Sequence, residues 1–349
     1  MRFSDLTQRL AALGARPVHT GRIVRMWQAG QALDTGTRRR HSDDFLPRAV
    51  REALPALTAA LDALARVQSA HTGSDGARLL VELADGQMVE SVLLPRDGLC
   101  VSTQVGCAVG CRFCMTGKSG LIRQVTSVEI LAQVVLARRQ RAVKKVVFMG
   151  MGEPAHNLEH VLEAIDLLGT EGGIGHKNLV FSTVGDRRGF EALPRQRVKP
   201  ALALSLHTTK AALREQLLPR APRLAPEELI DLGEQYARDM GYPIQYQWTL
   251  LKGVNDGDDE LEAIVRLLKG KYGVLNVIPF NALEGDDYQR PEGERIREIV
   301  RYLHSRGVLT KVRNSAGQDV DGGCGQLRAR AAGIERVVTV RRALRPQAA

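Results

Sequence analysis

Apolar positions in the first 70 residues recur at helical spacing. Leu6, Leu10 and Leu13 stand four and three apart, and Gly14 is placed to end that helix. Val24, Met26 and Trp27 predict a second short helix. The Leu- and Ala-rich stretch from Phe45 to Val67 predicts a third helical region, with Gly21 and the Gly30–Gly36 segment as breaks. From Arg78 the period shortens to two. Arg78–Leu83 and Met88–Leu94 flank Asp85-Gly86, a strong short-range hairpin signal. Glu90 falls in the second of these strands, where its spacing alone reads as an outward-facing carboxylate.

Farther along, extended apolar runs alternate with helical patterns. The runs are Lys145–Met149, Leu179–Thr183, Ala201–Leu206, Ile244–Leu250, Leu275–Pro279 and Leu309–Val312. The helical patterns are Ser127–Arg139, Leu158–Leu168, Lys210–Leu217, Pro226–Met240, Asp259–Lys269 and Glu292–Arg306. Such alternation predicts right-handed βαβ units and an α/β fold built on a parallel sheet. No internal repeat is present, and the basic tail past Val340 reads as frayed.

A chain of 349 residues allows one large or two unequal domains, and 44% hydrophobic with 25% charged residues is ordinary for a globular protein. No apolar run approaches the ~18–20 residues of a membrane span and no signal-peptide pattern opens the chain, so the cytoplasm is the expected compartment. The net charge of +10 is concentrated at Arg38–Arg40, at Arg138, Arg139, Arg141, Lys144 and Lys145, and at Arg341, Arg342 and Arg345. Such an excess favours nucleic-acid phosphates, and equally fits a solvated, arginine-rich surface.

The candidate chemistry lies in Cys107-x3-Cys111-x2-Cys114, three cysteines in a loop with Gly110 before the second. The spacing lets the thiolates converge, and three thiolates leave one iron of a cubane [4Fe–4S] cluster without a protein ligand. A structural zinc site would be closed by a fourth Cys or His at short spacing, and none follows. A zinc site and three buried thiols are the other readings. Cys100 and Cys324 lie outside this loop.

A Cys-x3-Cys-x2-Cys loop with an aromatic residue, Phe113, before the third Cys resembles the signature of the radical S-adenosylmethionine (SAM) superfamily. Four neighbouring words, Cys100-Val-Ser-Thr-Gln-Val-Gly-Cys107, Met149-Gly-Met-Gly-Glu-Pro154, Ser205-Leu-His207 and Cys324-Gly-Gln-Leu327, resemble the RlmN/Cfr group of RNA adenine methyltransferases, over about Glu90 to Leu327. The resemblance implies a partial (β/α)6 barrel, with a helical accessory domain over 1–70, a β-hairpin extension over 71–99, the catalytic domain over 100–335 and a basic tail over 336–349. It implies a [4Fe–4S] cluster on Cys107, Cys111 and Cys114, and two SAM molecules per turnover. One is the methyl donor and the other the source of a 5′-deoxyadenosyl radical. SAM would be held by Gly152, Glu153, Ser182, Ser205, Leu206, His207 and Asn281. Taken alone, the Gly-Glu-Pro turn and His207 would read as structural features.

The implied reaction methylates an adenine ring carbon, C2, in 23S ribosomal RNA and in some cases transfer RNA. Cys324 would carry the methyl group as S-methylcysteine, Glu90 would accept the ring proton, and Cys100 would release the product through a transient disulfide. The implied partners are RNA and an electron donor such as flavodoxin, to a monomeric enzyme. Arg123-Gln124-Val125, Ser182-Thr-Val184 and Gly322-Gly323 depart from the words frequent in that group, which leaves adenine C8 or a different RNA as alternatives. A non-catalytic RNA-binding paralogue is a further one, against which the intact Cys100 and Cys324 argue.

Overall fold

The structure, a computed structural model, describes residues 2–35, 45–118, 120–281, 287–327 and 329. Three helices open the chain: α1 (Phe3–Ala12), α2 (Pro17–Gln28) and α3 (Arg48–Asp62). Each turns one apolar stripe inward, Leu6 and Leu10, then Ile23, Val24 and Trp27, then Val50, Leu54, Leu57 and Leu61. The helical reading overran α3. A strand, β1 (Ala65–Thr72), begins inside the stretch expected to be helical, and only alternate residues along it are shielded. Pairing with β2 (Ala77–Leu83) from Ala65↔Leu83 to Thr72↔Ala77 overrides the local helical composition.

The expected hairpin joins β2 to β3 (Met88–Leu94), with Gly86 at φ +80° in its turn. Its second strand is covered on both faces, since Val89 through Leu93 are all buried. Glu90 is fully buried, contrary to the outward-facing reading. The hairpin is continuous with the rest of the sheet through β4 (Gly98–Cys100), which is antiparallel to β3 and parallel to β7 (Lys145–Phe148).

From there the parallel order is β7, β8 (Leu179–Thr183), β9 (Ala201–Ser205), β10 (Ile244–Leu250), β11 (Gly273–Pro279) and β12 (Thr310–Val312), completing a ten-stranded sheet whose ends do not pair. The fold is thus an α/β partial barrel. The six strands read from the sequence are all present, and β4 adds a seventh parallel strand ahead of them. The connecting helices are α5 (Ser127–Arg138), α6 (Leu158–Gly169), α7 (Arg187–Ala192), α8 (Ala211–Leu217), α9 (Pro226–Met240), α10 (Asp258–Leu268) and α11 (Gly293–Ser305). Helix α5 is buried almost all round, beneath α2 and α6, and starts with a capping box in which Glu129 accepts from the Thr126 N–H at 2.8 Å. Trp248, Tyr246, Phe148 and Phe181 are the bulkiest fully buried side chains, and truncating Trp248 to Ala would cost ~3–5 kcal/mol. Among the described residues, no helix is long and apolar enough to cross a membrane.

Of the basic set Arg138, Arg139, Arg141, Lys144 and Lys145, read from the sequence equally as phosphate contacts or a solvated surface, the first four have partners within the chain. Arg138 donates to the carbonyls of Gln28, Val143 and Gly172, and Arg141 to those of Leu94 and Gly98. Arg139 pairs with Asp62 and Lys144 with Asp97. These cations fasten the N-terminal helices and the hairpin to the barrel. Arg38–Arg40 and the basic tail lie outside the described residues.

Candidate active site

The cysteine loop is held at its base by a two-stranded ribbon, β5 (Gln104–Gly106) with β6 (Leu121–Gln124). The ribbon must cross itself closely. Gly106 has φ +76°, and a Cβ there would lie 1.9 Å from the Gly120 carbonyl oxygen, so only glycine fits. The loop contains a short helical turn, α4 (Met115–Lys118), and the Cys107 N–H donates to Gly120 at 2.9 Å. A second clamp comes from the far end of the chain. The Met115 N–H donates to the Gly325 carbonyl at 2.8 Å, and the Thr116 hydroxyl to that of Leu327 at 2.7 Å. The loops bearing Cys114 and Cys324 are therefore braced against each other.

Cys107, Cys111 and Cys114 border one cavity of about 150 Å³. Burial pushes the Cys107 thiol up to about 12 and raises Cys111 and Cys114 as well, so their thiolates call for a bound metal centre to offset desolvation. Among the described residues, no three ligating side chains converge tightly enough for a single ion. Three cysteines on the wall of one cavity are the donor set of a [4Fe–4S] cluster with one open iron.

The carboxyl ends of the parallel strands supply the rest of the wall. After β7 comes Gly152, at φ +104°, where a Cβ would lie 2.6 Å from that of Gln104. Gln104 accepts the Glu153 N–H at 2.8 Å and donates to Gln124 at 2.9 Å, coupling this turn to the base of the cysteine loop. The buried Glu153 carboxylate accepts the N–H groups of Ala155 at 3.0 Å and Val184 at 2.9 Å. Burial nevertheless pushes it up to about 7, against the opposing hydrogen bonds.

Ser182 and Ser205, half-buried at the ends of β8 and β9, line the same wall with His207. His207 occupies a left-handed conformation at φ +64°. Its Nδ1 accepts from the Thr249 N–H at 3.0 Å, and its ring meets Phe113 edge-on at 4.8 Å. Burial, aided by the Arg214 charge, lowers its pKa to about 3. The ring is neutral, with its proton on Nε2 available as a donor. Leu206 lies behind this wall, fully buried, with its N–H on the Gln247 carbonyl at 3.0 Å.

A smaller pocket shares Cys114, Thr116, Met149, Gly150, Arg313 and Cys324 with the main cavity and adds Cys100. The two thiols outside the cysteine loop, 224 positions apart in the chain (324 − 100), therefore line one space. Burial pushes Cys100 up to about 12, the nearby Cys324 adds to the rise, and Arg313 opposes it. Asn281 borders neither pocket; its Nδ2 donates to the Cys324 carbonyl at 3.0 Å and to Ser315 at 3.1 Å. Glu90 also lies outside both. It is paired with Arg78 at 2.6 Å and accepts the Ala329 N–H at 2.9 Å.

Two arginines went unnoticed in the sequence. Arg313 spans both pockets, donating to Gln247 at 3.1 Å. Arg214 is buried beside Cys111 and Glu153 and donates to the Val184 carbonyl. Its Nε and Nη1 have no partner among the described residues, and burial lowers its pKa to about 10. No motif marks either residue; only the fold brings them here. The unpaired Arg214 nitrogens and the orphaned Asn281 Oδ1 leave polar capacity around the site. The residues present fit an anionic thiolate-bound cluster and a polar ligand beside it.

Residues 101–268 match the family model of the radical SAM superfamily. A probable RNA methyltransferase of Bordetella avium is 84% identical over 348 residues, covering 100% of this chain and 99% of the relative. A probable RNA methyltransferase of Stutzerimonas stutzeri is 74% identical, covering 95% and 97%. Among solved structures, a radical SAM methyltransferase from Sphaerobacter thermophilus superposes with a TM-score of 0.80 at 32% identity, covering 95% of this chain and 98% of that one.

Proposed function

The chain belongs to the radical SAM superfamily, and from that membership we propose that it is an RNA methyltransferase of the RlmN/Cfr type, acting on C2 of adenine. The proposed substrate is 23S ribosomal RNA, with transfer RNA as a second. Its cofactors are a [4Fe–4S] cluster and SAM. Relatives named as probable RNA methyltransferases, matched over 99% and 97% of their length, support the RNA substrate. The observation that carries the finer reading is the shared pocket of Cys100 and Cys324, contiguous with the cavity of the three cysteines. An enzyme that only cleaved SAM would need no such pair.

Cys107, Cys111 and Cys114 would hold the cluster. Gly152, Glu153, Ser182, Ser205, the Leu206 backbone and His207 would hold SAM, with the His207 Nε2–H as a donor. Bound there, the cluster would supply one electron to SAM, which would be the source of the 5′-deoxyadenosyl radical. Asn281 fixes the backbone at Cys324, whose sulfur would carry the methyl carbon. That carbon would lose one hydrogen atom to the 5′-deoxyadenosyl radical as it bonds the adenine carbon, and the electron left after loss of the ring proton would return to the cluster. Glu90 is the proposed acceptor of the ring proton, its charge balanced by Arg78 while buried. Release falls to Cys100. Its sulfur attacks the Cys324 sulfur, so the bond from Cys324 to the substrate carbon is exchanged for a disulfide. A dithiol reductant then restores both thiols. With a pKa raised to about 12, Cys100 rests as the inert thiol until that step.

Nucleoside mass spectrometry of RNA from a deletion strain, with and without the gene restored, tests the reading. Loss and recovery of 2-methyladenosine is expected. An unchanged 2-methyladenosine level, or a change confined to 8-methyladenosine, contradicts it.

A further inference from the structure

The cysteine loop has two faces, and only the inner one is used by the chemistry above. Its outer face lines an open cleft with Gly110, Cys111, Arg112, Gly117, Lys118 and Arg220 on its walls. Cys111 is thus shared between this cleft and the internal cavity. The wall between them is one loop thick. A Cβ on Gly117 would lie 2.9 Å from the Gly110 Cα, so the two limbs of the loop touch backbone to backbone with no side-chain layer between.

The described lining of the cleft is also net positive. Arg112, Lys118 and Arg220 are exposed, and Asp287 is the sole carboxylate among the described residues that line it. Some exposed cations elsewhere are paired, as Arg197 is with Asp166 at 2.7 Å. The side chains of Arg112 and Arg220 make no ion pair among the described residues.

We propose that this cleft is the docking surface for an acidic one-electron carrier protein, which reduces the cluster through the Cys111 side of the loop. The inference rests on the radical SAM chemistry of the proposed function. The step is balanced by the carrier alone: one electron leaves a reduced flavin, taking hydroquinone to semiquinone, and enters the cluster, while no bond in the protein changes. Electron transfer weakens steeply with separation, and the cleft brings a docked carrier within one loop thickness of the cavity. Basic walls suit an acidic partner held briefly, in the small interface usual for redox encounters. RNA is the less favoured occupant, because its adenine must reach Cys324, which lies on the inner side of the loop.

The test uses the full-length, cluster-reconstituted protein without RNA, reading 5′-deoxyadenosine formation with flavodoxin hydroquinone or with dithionite as reductant. The Lys118→Glu/Arg220→Glu variant should lose roughly tenfold or more with flavodoxin at low salt. Its dithionite-driven rate and cluster absorbance should match those of the unmodified protein. The flavodoxin-driven rate of the unmodified protein should fall with added salt, and that of the variant should not. Equal losses with both reductants, an unchanged flavodoxin rate, or a loss of RNA affinity alone would each overturn the proposal. RNA is absent from the rate assay, so failure of the methylation reading leaves this outcome legible. A dead dithionite arm in the unmodified protein would mark failure of the radical SAM chemistry itself.

Discussion

The side-chain amide of Asn281 donates to the backbone carbonyl of Cys324 at 3.0 Å, pinning the loop of the proposed methyl carrier to the end of β11. A Cβ on the neighbouring Gly323 would lie 2.9 Å from the same amide nitrogen, so the loop has no room to pack differently. Asn281→Ala removes the bond and costs about 1 kcal/mol. The larger effect expected is on placement of the sulfur. The methylated share of Cys324, read by intact-protein mass, should fall severalfold while cluster absorbance is retained.

Glu153 and His207 make opposite contributions to the pH dependence of stability. Glu153 is raised to about 7 by burial. Below the unfolded-state value its contribution is complete, and roughly 3 kcal/mol is lost as pH rises to about 7. His207 is depressed to about 3. Its contribution is complete above the unfolded-state value near 6.5 and is lost as pH falls toward 3. Between pH 4.5 and 6.5 the two offset each other. In urea titrations of the metal-free protein, Glu153→Gln should become more stable with rising pH across that window and His207→Gln less stable. Parallel slopes for both variants would contradict the assigned charge states.

Arg138 joins the helical N-terminus to the barrel through the Gln28, Val143 and Gly172 carbonyls. Arg138→Met leaves buried acceptors unpaired and should lower stability by about 2–3 kcal/mol. Hydrogen exchange should rise first in α2. If RNA affinity falls and stability does not, Arg138 is a phosphate contact after all.

Strands β8 and β10 and helix α9 begin and end where the sequence places them, because the strands are rich in β-branched and aromatic residues and α9 carries one apolar face between Pro226 and Gly241. The missed elements are those whose formation depends on partners. β1 carries polar residues at alternate positions and exists through its register with β2, and β4, β5 and β6 are three or four residues long. The cysteine spacing marks the cavity directly. Nothing in the sequence distinguishes Arg214 or Arg313 from surface arginines, since burial beside Cys111 or Cys100 is created by the fold. Glu90 shows the same limit from the other side. Its period-two position cannot reveal that both faces of β3 are covered.

The measurement that bears most directly on the proposed chemistry concerns the two thiols of the shared pocket. Incubated with labelled RNA, SAM and reductant, the Cys100→Ala protein should accumulate a covalent protein–RNA species on a denaturing gel. Peptide mass analysis should place the link at Cys324. Cys324→Ala should form neither methylated protein nor methylated RNA, although SAM cleavage can continue on the intact cluster. The Cys100→Ala/Cys324→Ala double variant should form no adduct, because trapping requires that the bond first be made. Normal turnover by Cys100→Ala, or an adduct mapped to any other residue, would contradict the two-thiol account.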